Sequence, residues 1–132
     1  MPAQSLRSRL ILRGIAAHFA GLGAASLWVA VQLDGFPVLP TTIEGIILGA
    51  ILAAPWAVTM FAVICFVPYW LEKHVLFVCI VGPMVVWASA YLLILTDIWL
   101  PEKYIEPVVV ASLVAGPVFF ALHRKDRRNR QA

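Results

Sequence analysis

Four long apolar runs are the feature of this sequence that most restricts its fold. They cover residues 14–33, 43–67, 75–96 and 104–122. A helix needs about 20 mostly apolar residues to cross roughly 30 Å of hydrocarbon, and each run is close to that length. Because 62% of the residues are hydrophobic and 13% are charged, the apolar surface exceeds what a small soluble domain buries. We therefore predict an all-α integral membrane protein, with one membrane domain over residues 1–132.

The polar segments between the runs are short, which predicts an antiparallel four-helix transmembrane bundle with short loops. Residues 34–37 turn the chain after the first run. Thr41 and Glu44 match a capping box, which predicts that the second helix begins there. Residues 68–74 are expected to form a polar turn, and residues 97–103 a loop.

Three of the predicted spans contain a proline preceded by a small residue. These prolines are Pro55, Pro83 and Pro117. Proline removes one backbone hydrogen bond, and neighbouring helices in a bundle can compensate for the loss. Each proline is therefore expected to bend its helix.

Basic residues are concentrated on one side of the predicted membrane. With four crossings, Lys103 is the single basic residue on the other side. The remaining nine are Arg7, Arg9, Arg13, Lys73, Arg124, Lys125, Arg127, Arg128 and Arg130. The positive-inside rule places the nine in the cytoplasm. It also supports the fourth span, in which only residues 108–122 are free of charge, because three crossings would place the arginine-rich tail outside.

These charges predict a location in the inner membrane of a bacterium, with both termini cytoplasmic. Arginine outnumbers lysine seven to three, in keeping with a GC-rich bacterial genome. A cleaved signal peptide is the alternative for the first run, because arginines precede it. Its apolar stretch is longer than the usual 7–15 residues, and no clean small-x-small cleavage site ends it before Trp28. We expect this run to remain as a span.

Each predicted span has a stripe of small or weakly polar residues. In lipid, such stripes mark the faces on which helices approach one another closely. The predicted packing residues are Gly14, Gly21 and Ala25 in the first span, Gly45, Gly49 and Ala53 in the second, Gly82 and Ser89 in the third, and Ser112 and Gly116 in the fourth. The second stripe repeats small-xxx-small, and it is expected to serve either this bundle or a contact with another chain.

His18 is the candidate functional residue within the membrane. It shares a helix face with Gly14, Gly21 and Ala25, so its side chain is expected to point into protein. Ionisable groups inside membranes suggest proton, metal or ligand roles. The structural alternative is a neutral imidazole hydrogen-bonded to a carbonyl near the cytoplasmic boundary, and both alternatives stay open.

The sequence contains no pattern that is typical of an enzyme or of a metal site. Ser89 has no His–acid pair at matching depth, and phosphate-binding loops and metalloprotease motifs are absent. The cysteines Cys65 and Cys79 do not form a metal-binding motif with the histidines. We predict no catalytic residue, no metal and no cofactor. No acidic residue or lysine lies at mid-span, which disfavours a cation-coupled carrier.

The basic tail, residues 123–132, is predicted to contact anionic lipid. The contact residues are Arg124, Lys125, Arg127, Arg128 and Arg130. Because basic residues cluster at the chain ends, the net charge of +3 does not indicate nucleic-acid binding. The predicted partners are the bilayer and either another membrane protein or a second copy of this chain.

The leading functional hypothesis is a non-enzymatic accessory or protective subunit that acts by helix–helix association with a larger membrane system. The alternative is a small homo-oligomeric channel or carrier, with Gly45 and Gly49 at the subunit contact and His18 and Ser89 along the path. A haem or quinone redox subunit is a third class, and it would be recognised by its absorbance spectrum.

Overall fold

The computed structural model describes residues 3–33, 37–96 and 105–129, and within these ranges the chain forms six helices. They are α1 (Ala3–Gln32), α2 (Val38–Leu52), α3 (Ala54–Phe66), α4 (Pro68–Lys73), α5 (Val75–Leu95) and α6 (Ile105–Asn129). The described ranges contain no strand. The predicted loop at 97–103 lies outside them, as does the predicted turn at 34–37 except for Pro37.

The second predicted span is two helices rather than one. α2 and α3 meet at Ala53 at an angle of 62°. Pro55 lies in the first turn of α3 and has no backbone N–H, so the hydrogen-bond ladder cannot continue unbroken through this point. The bend predicted at Pro55 is thus a break, whereas Pro83 and Pro117 lie inside the continuous helices α5 and α6.

The predicted capping box is wrong, because α2 begins three residues before Thr41. Pro37 occupies the N-cap position with an extended backbone, and no side chain caps the helix. The Thr41 hydroxyl instead donates to the Pro37 carbonyl oxygen at 2.8 Å. Pro40 is tolerated in the first turn, where backbone N–H groups have no helical acceptor.

One segment expected to be a turn is helical, since the predicted polar turn after the second span contains the short helix α4. The basic tail continues α6 as far as Asn129. α1 likewise begins at Ala3, well before residue 14. The charged residues at the start of α1 and at the end of α6 are therefore helical and lie beyond the apolar part of each span.

The helices form a row in the order α2–α3, α1, α6, α5. α1 packs against α2 on one side and α6 on the other, and α6 also packs against α5. Arg13 of α1 contacts His123 of α6, so the start of α1 and the end of α6 lie at the same end of the molecule. Neighbours in the row run antiparallel, but α3 and α5 do not close the row by comparable packing among the described residues.

Helix length and hydropathy identify a multi-pass membrane protein. Leu6–Gln32, Val75–Leu95 and Ile105–Asn129 are each long and apolar enough to span a bilayer, and the bent α2–α3 pair is a fourth candidate when counted as one span. Large apolar side chains cover the outside, among them Phe66 at 84% exposure and Leu39 at 71%. Such a surface suits lipid rather than water as the surrounding solvent.

Candidate functional site

A cavity of about 850 Å³ lies inside the row of helices. Its walls come from α1, α2, α3, α5 and α6, and they are mostly apolar side chains such as Leu22, Leu52, Met60 and Val78. The cavity is only partly enclosed, so apolar molecules from the bilayer can enter and fill it.

The break between α2 and α3 forms part of the cavity wall. Ala53, at the break, lines the cavity, as does His18 on α1. Gly49 faces Leu22 and Gly14 faces Ile64, which places His18 at the depth of the break. Broken helices with irregular backbone occur at membrane depth where they line a cavity or a binding site.

Two polar side chains on α1 line this cavity without a hydrogen bond to any described residue. His18 is half-buried, and its ring makes an edge contact with Phe19 at a centroid distance of 6.0 Å. Ser26 lies beside Gly45, and its relative exposure is 7%. The carbonyl bond expected for a structural His18 is not made with the described residues.

Two tryptophans and two serines link different spans through matching hydrogen bonds. The Trp56 indole donates to Ser89 Oγ at 2.8 Å, and Ser89 donates to the Val86 carbonyl oxygen at 2.9 Å, which connects α3 with α5. Trp87 donates in the same way to Ser112 Oγ at 2.5 Å, and this bond connects α5 with α6.

Each serine hydroxyl therefore accepts from an indole and donates to its own helix. The sequence analysis predicts Ser89 and Ser112 as small packing residues and does not predict these two bonds. A signal was present, because Trp56 and Ser89 fall near the midplane of adjacent predicted spans.

A charged cluster joins α1 to α6 at the end of the molecule that holds the N-terminus. Arg13 is 7% exposed and donates from Nη1 to His123 Nδ1 at 2.9 Å, while His123 is 4% exposed. The other guanidinium nitrogen, Nη2, donates to Asp126, and Arg9 Nε lies 4.0 Å from the same carboxylate. Arginine has no acceptor atom, so this contact requires a neutral His123 with its proton on Nε2.

Sequence reasoning missed this Arg13–His123–Asp126 cluster. His123 and Asp126 are three residues apart and so share one face of a helix, and a four-span topology places both level with Arg13. An arginine this well buried near a membrane boundary is stable only beside a counter-charge. The cluster thus fixes the relative position of the two helix ends.

Most of the predicted packing glycines lie at close helix contacts. A Cβ added at Gly21 would lie 2.5 Å from the Ala111 carbonyl oxygen of α6, and one at Gly116 would lie 3.0 Å from the Cys79 carbonyl oxygen of α5. Gly45 and Gly49 face Ser26 and Leu22 of α1. The small-residue face that was considered for contact with another chain therefore packs within this one.

Gly82 is the exception among these glycines. A Cβ there would meet no atom within 4 Å, and Gly82 lines the cavity instead of a helix contact. Among the other predicted packing residues, Ala25 and Ser112 are buried, and Ala53 lies at the break of the second span. The stripe on α5 thus forms a cavity wall at Gly82.

The basic residues of the tail divide between two faces of α6. Arg124, Lys125 and Arg128 border a shallow hollow of about 430 Å³, which is also lined by Phe120, Ala121 and Asn129. Arg127 is exposed and does not line this hollow, and Arg130 lies outside the described residues. The contact of these residues with anionic lipid stays a prediction.

Among the residues that the structure describes, no three His, Cys, Asp or Glu side chains lie close enough to hold a metal ion. Cys65 and Cys79 are not joined by a disulfide. Comparison with protein families, curated proteins and solved structures finds no match to this chain.

Proposed function

We propose that this protein is a non-enzymatic accessory or protective subunit that associates, within a bacterial inner membrane, with a larger membrane protein. The observation that supports this proposal is the open row of helices. α1, α6 and α5 pack in sequence and α2 packs on α1, but α3 and α5 are bridged chiefly by the bond from Trp56 to Ser89.

An open row leaves apolar edges that a closed four-helix bundle would bury. Val58 and Phe61 of α3 border the cavity and are 67% and 54% exposed. Lipid is as apolar as these side chains, so helix association in membranes depends on shape, close packing and interhelical hydrogen bonds. The concave edge between α3 and α5 offers such a shape to a transmembrane helix of the partner.

The proposed orientation has both termini in the cytoplasm. The Arg13–His123 contact brings the start of α1 and the end of α6 to one end of the molecule, as an even number of crossings requires. Eight of the nine basic residues assigned to the cytoplasm, all except Lys73, lie before residue 14 or after residue 123. Reporter fusions at the two termini test this proposal, because activity of a periplasm-specific reporter at either terminus would contradict it.

Photo-cross-linking in the native host tests the association. A photoreactive amino acid at Val58 or Phe61 is expected to capture one larger membrane protein at native expression level. The same amino acid at Leu12 or Leu113, exposed positions that do not border the cavity, serves as the matched control. Equal capture from all four positions, or recovery of the chain without any partner, would contradict the proposal.

The homo-oligomeric channel is less well supported. Its subunit contact was assigned to Gly45 and Gly49, which the structure packs against α1. Ser89, assigned to the path, is engaged with Trp56 and the Val86 carbonyl oxygen. No observation favours this alternative over association.

A further inference from the structure

We propose that the cavity binds a neutral amphiphile from the bilayer, a molecule with a long apolar chain and one uncharged hydroxyl or carbonyl head. The head lies against His18, at the depth of the α2–α3 break, and the chain occupies the apolar remainder of the cavity. This inference goes beyond the association proposed above, since the cavity walls belong to this chain alone.

The size and lining of the cavity select an apolar chain. At about 850 Å³ it falls within the range of roughly 300–1,000 Å³ that is typical of small-molecule sites. Its walls are aliphatic and aromatic side chains with few polar groups, which is also typical of such sites. Because the cavity opens beside spans that lie in lipid, the molecules with access to it are those dissolved in the bilayer.

The polar side chains in the wall select a hydrogen-bonding head. A neutral imidazole has one donor and one acceptor, and His18 uses neither with the described residues. Ser26 offers a second hydroxyl about 12 Å further along α1, at roughly 1.5 Å per residue. The Trp56 indole and Ser89 are already paired with each other, so His18 is the group best placed for the head.

The charges around the cavity select an uncharged head. Apart from His18, Glu44 is the one acidic or basic residue among the described residues that line the cavity. It lies one residue from Gly45, which faces Ser26, so it is at the opposite end of the cavity from His18. A charged head at His18 would be desolvated without a counter-ion, which is far more costly than burying a hydroxyl that is hydrogen-bonded.

Two glycines provide a matched pair of substitutions. Neither Gly82 nor Gly23 would place a Cβ within 4 Å of another atom, so a side chain added at either position begins in open space. Gly82 lines the cavity and Gly23 does not. Gly82→Leu therefore reduces the cavity, while Gly23→Leu adds the same side chain elsewhere.

The test is native mass spectrometry of the purified full-length protein, delipidated in detergent and titrated with oleyl alcohol. The wild type and Gly23→Leu are expected to retain one molecule per chain with the same Kd. Gly82→Leu is expected to weaken binding at least tenfold. His18→Leu is expected to weaken it roughly three- to tenfold, the effect of one hydrogen bond, whereas His74→Leu, outside the cavity, leaves it unchanged.

Competition experiments separate the head-group classes. Unlabelled oleyl alcohol should displace a labelled sample, while oleate and oleylamine should compete at least tenfold less well. Wild-type affinity in Gly82→Leu, or equal competition by oleate, would overturn the proposal. If circular dichroism shows that Gly82→Leu does not fold, the test is the comparison of His18→Leu with His74→Leu. Equal Kd values for oleyl alcohol in these two variants would overturn the assigned head position. None of these results changes the photo-cross-linking pattern, so the two proposals fail independently.

Discussion

Replacing Asp126 by asparagine tests whether the charged cluster holds α1 and α6 together. The substitution keeps the side-chain shape but removes the carboxylate that receives the Arg13 guanidinium. The Arg13 side chain is 8% exposed, so its charge would remain buried after the loss of the Asp126 carboxylate. Breaking a buried ion pair in this way costs about 3–5 kcal/mol. Because the Asp126 side chain is 30% exposed and water reaches the site, we expect a cost at or just below the lower end of that range, about 2–3 kcal/mol.

The double substitution Arg13→Met/Asp126→Asn measures how strongly the two side chains are coupled. It removes the buried charge together with its partner. Replacing both members of a buried ion pair often leaves the free energy of unfolding unchanged, whereas removing one member lowers it. We therefore expect the double variant to be more stable than Asp126→Asn alone, with a coupling free energy of at least about 1 kcal/mol. Glu106→Gln, an acid-to-amide change at an exposed position of the same helix, serves as the control.

The assay is unfolding in mixed micelles at increasing mole fraction of a denaturing detergent, followed by circular dichroism. The control should remain within about 0.5 kcal/mol of the wild type. An Asp126→Asn variant that also remains within this margin would refute the argument. Strict additivity of the Arg13 and Asp126 substitutions would refute it as well, because uncoupled side chains do not form an ion pair.

Three further predictions follow from the close contacts and from the tail. Gly21→Ala should destabilise the protein by about 1–3 kcal/mol, because its Cβ would meet a backbone carbonyl of α6, whereas Gly23→Ala should be neutral or gain up to about 1 kcal/mol. Trp87→Phe should cost about 0.6–1.7 kcal/mol, since it removes one interhelical hydrogen bond. Arg124→Gln/Arg128→Gln should weaken the affinity of the detergent-solubilised protein for an anionic phospholipid by roughly 30-fold, at about 1 kcal/mol per basic residue.

Controls make each of these three predictions decisive. The glycine pair is compared by detergent-induced unfolding, and equal stabilities would show that α1 and α6 do not approach closely at Gly21. Trp70→Phe, an exposed tryptophan stacked on His74, should cost less than Trp87→Phe in the same assay. For the tail, titration with a zwitterionic phospholipid in the same detergent should not distinguish the double variant from the wild type, and unchanged affinity for the anionic phospholipid would contradict the assigned lipid contact.

Much of the helical framework could be predicted from residue type alone. α5 ends one residue from the predicted limit of the third run, because a continuous apolar run of this length has few alternatives to a helix. The errors lie at helix ends and breaks. Thr41 and Glu44 match a capping box in sequence, but the helix begins after Pro37, which occupies the N-cap position. Backbone geometry decides which of two nearby positions becomes the N-cap.

The candidate site was predictable only in part. His18 was identified because an ionisable residue in an apolar run is conspicuous. The partners of Ser89 and Ser112 were not identified, because tryptophan and serine are both common in membrane helices and their pairing depends on helix rotation. Gly82 shows the same limit, since glycine in a stripe indicates a close contact or an open space equally well.

The sequence by itself determined that the chain needs lipid as its solvent, where the long helices fall, and which end carries the positive charge. These properties depend on composition and on spacing along one helix. The tertiary structure decided that the helices form an open row, that a cavity lies beside the break at Ala53, and that Arg13 meets Asp126. Each of these features depends on the rotation and tilt of helices that are far apart in sequence. Small differences in packing set that rotation and tilt, and no local sequence pattern predicts them.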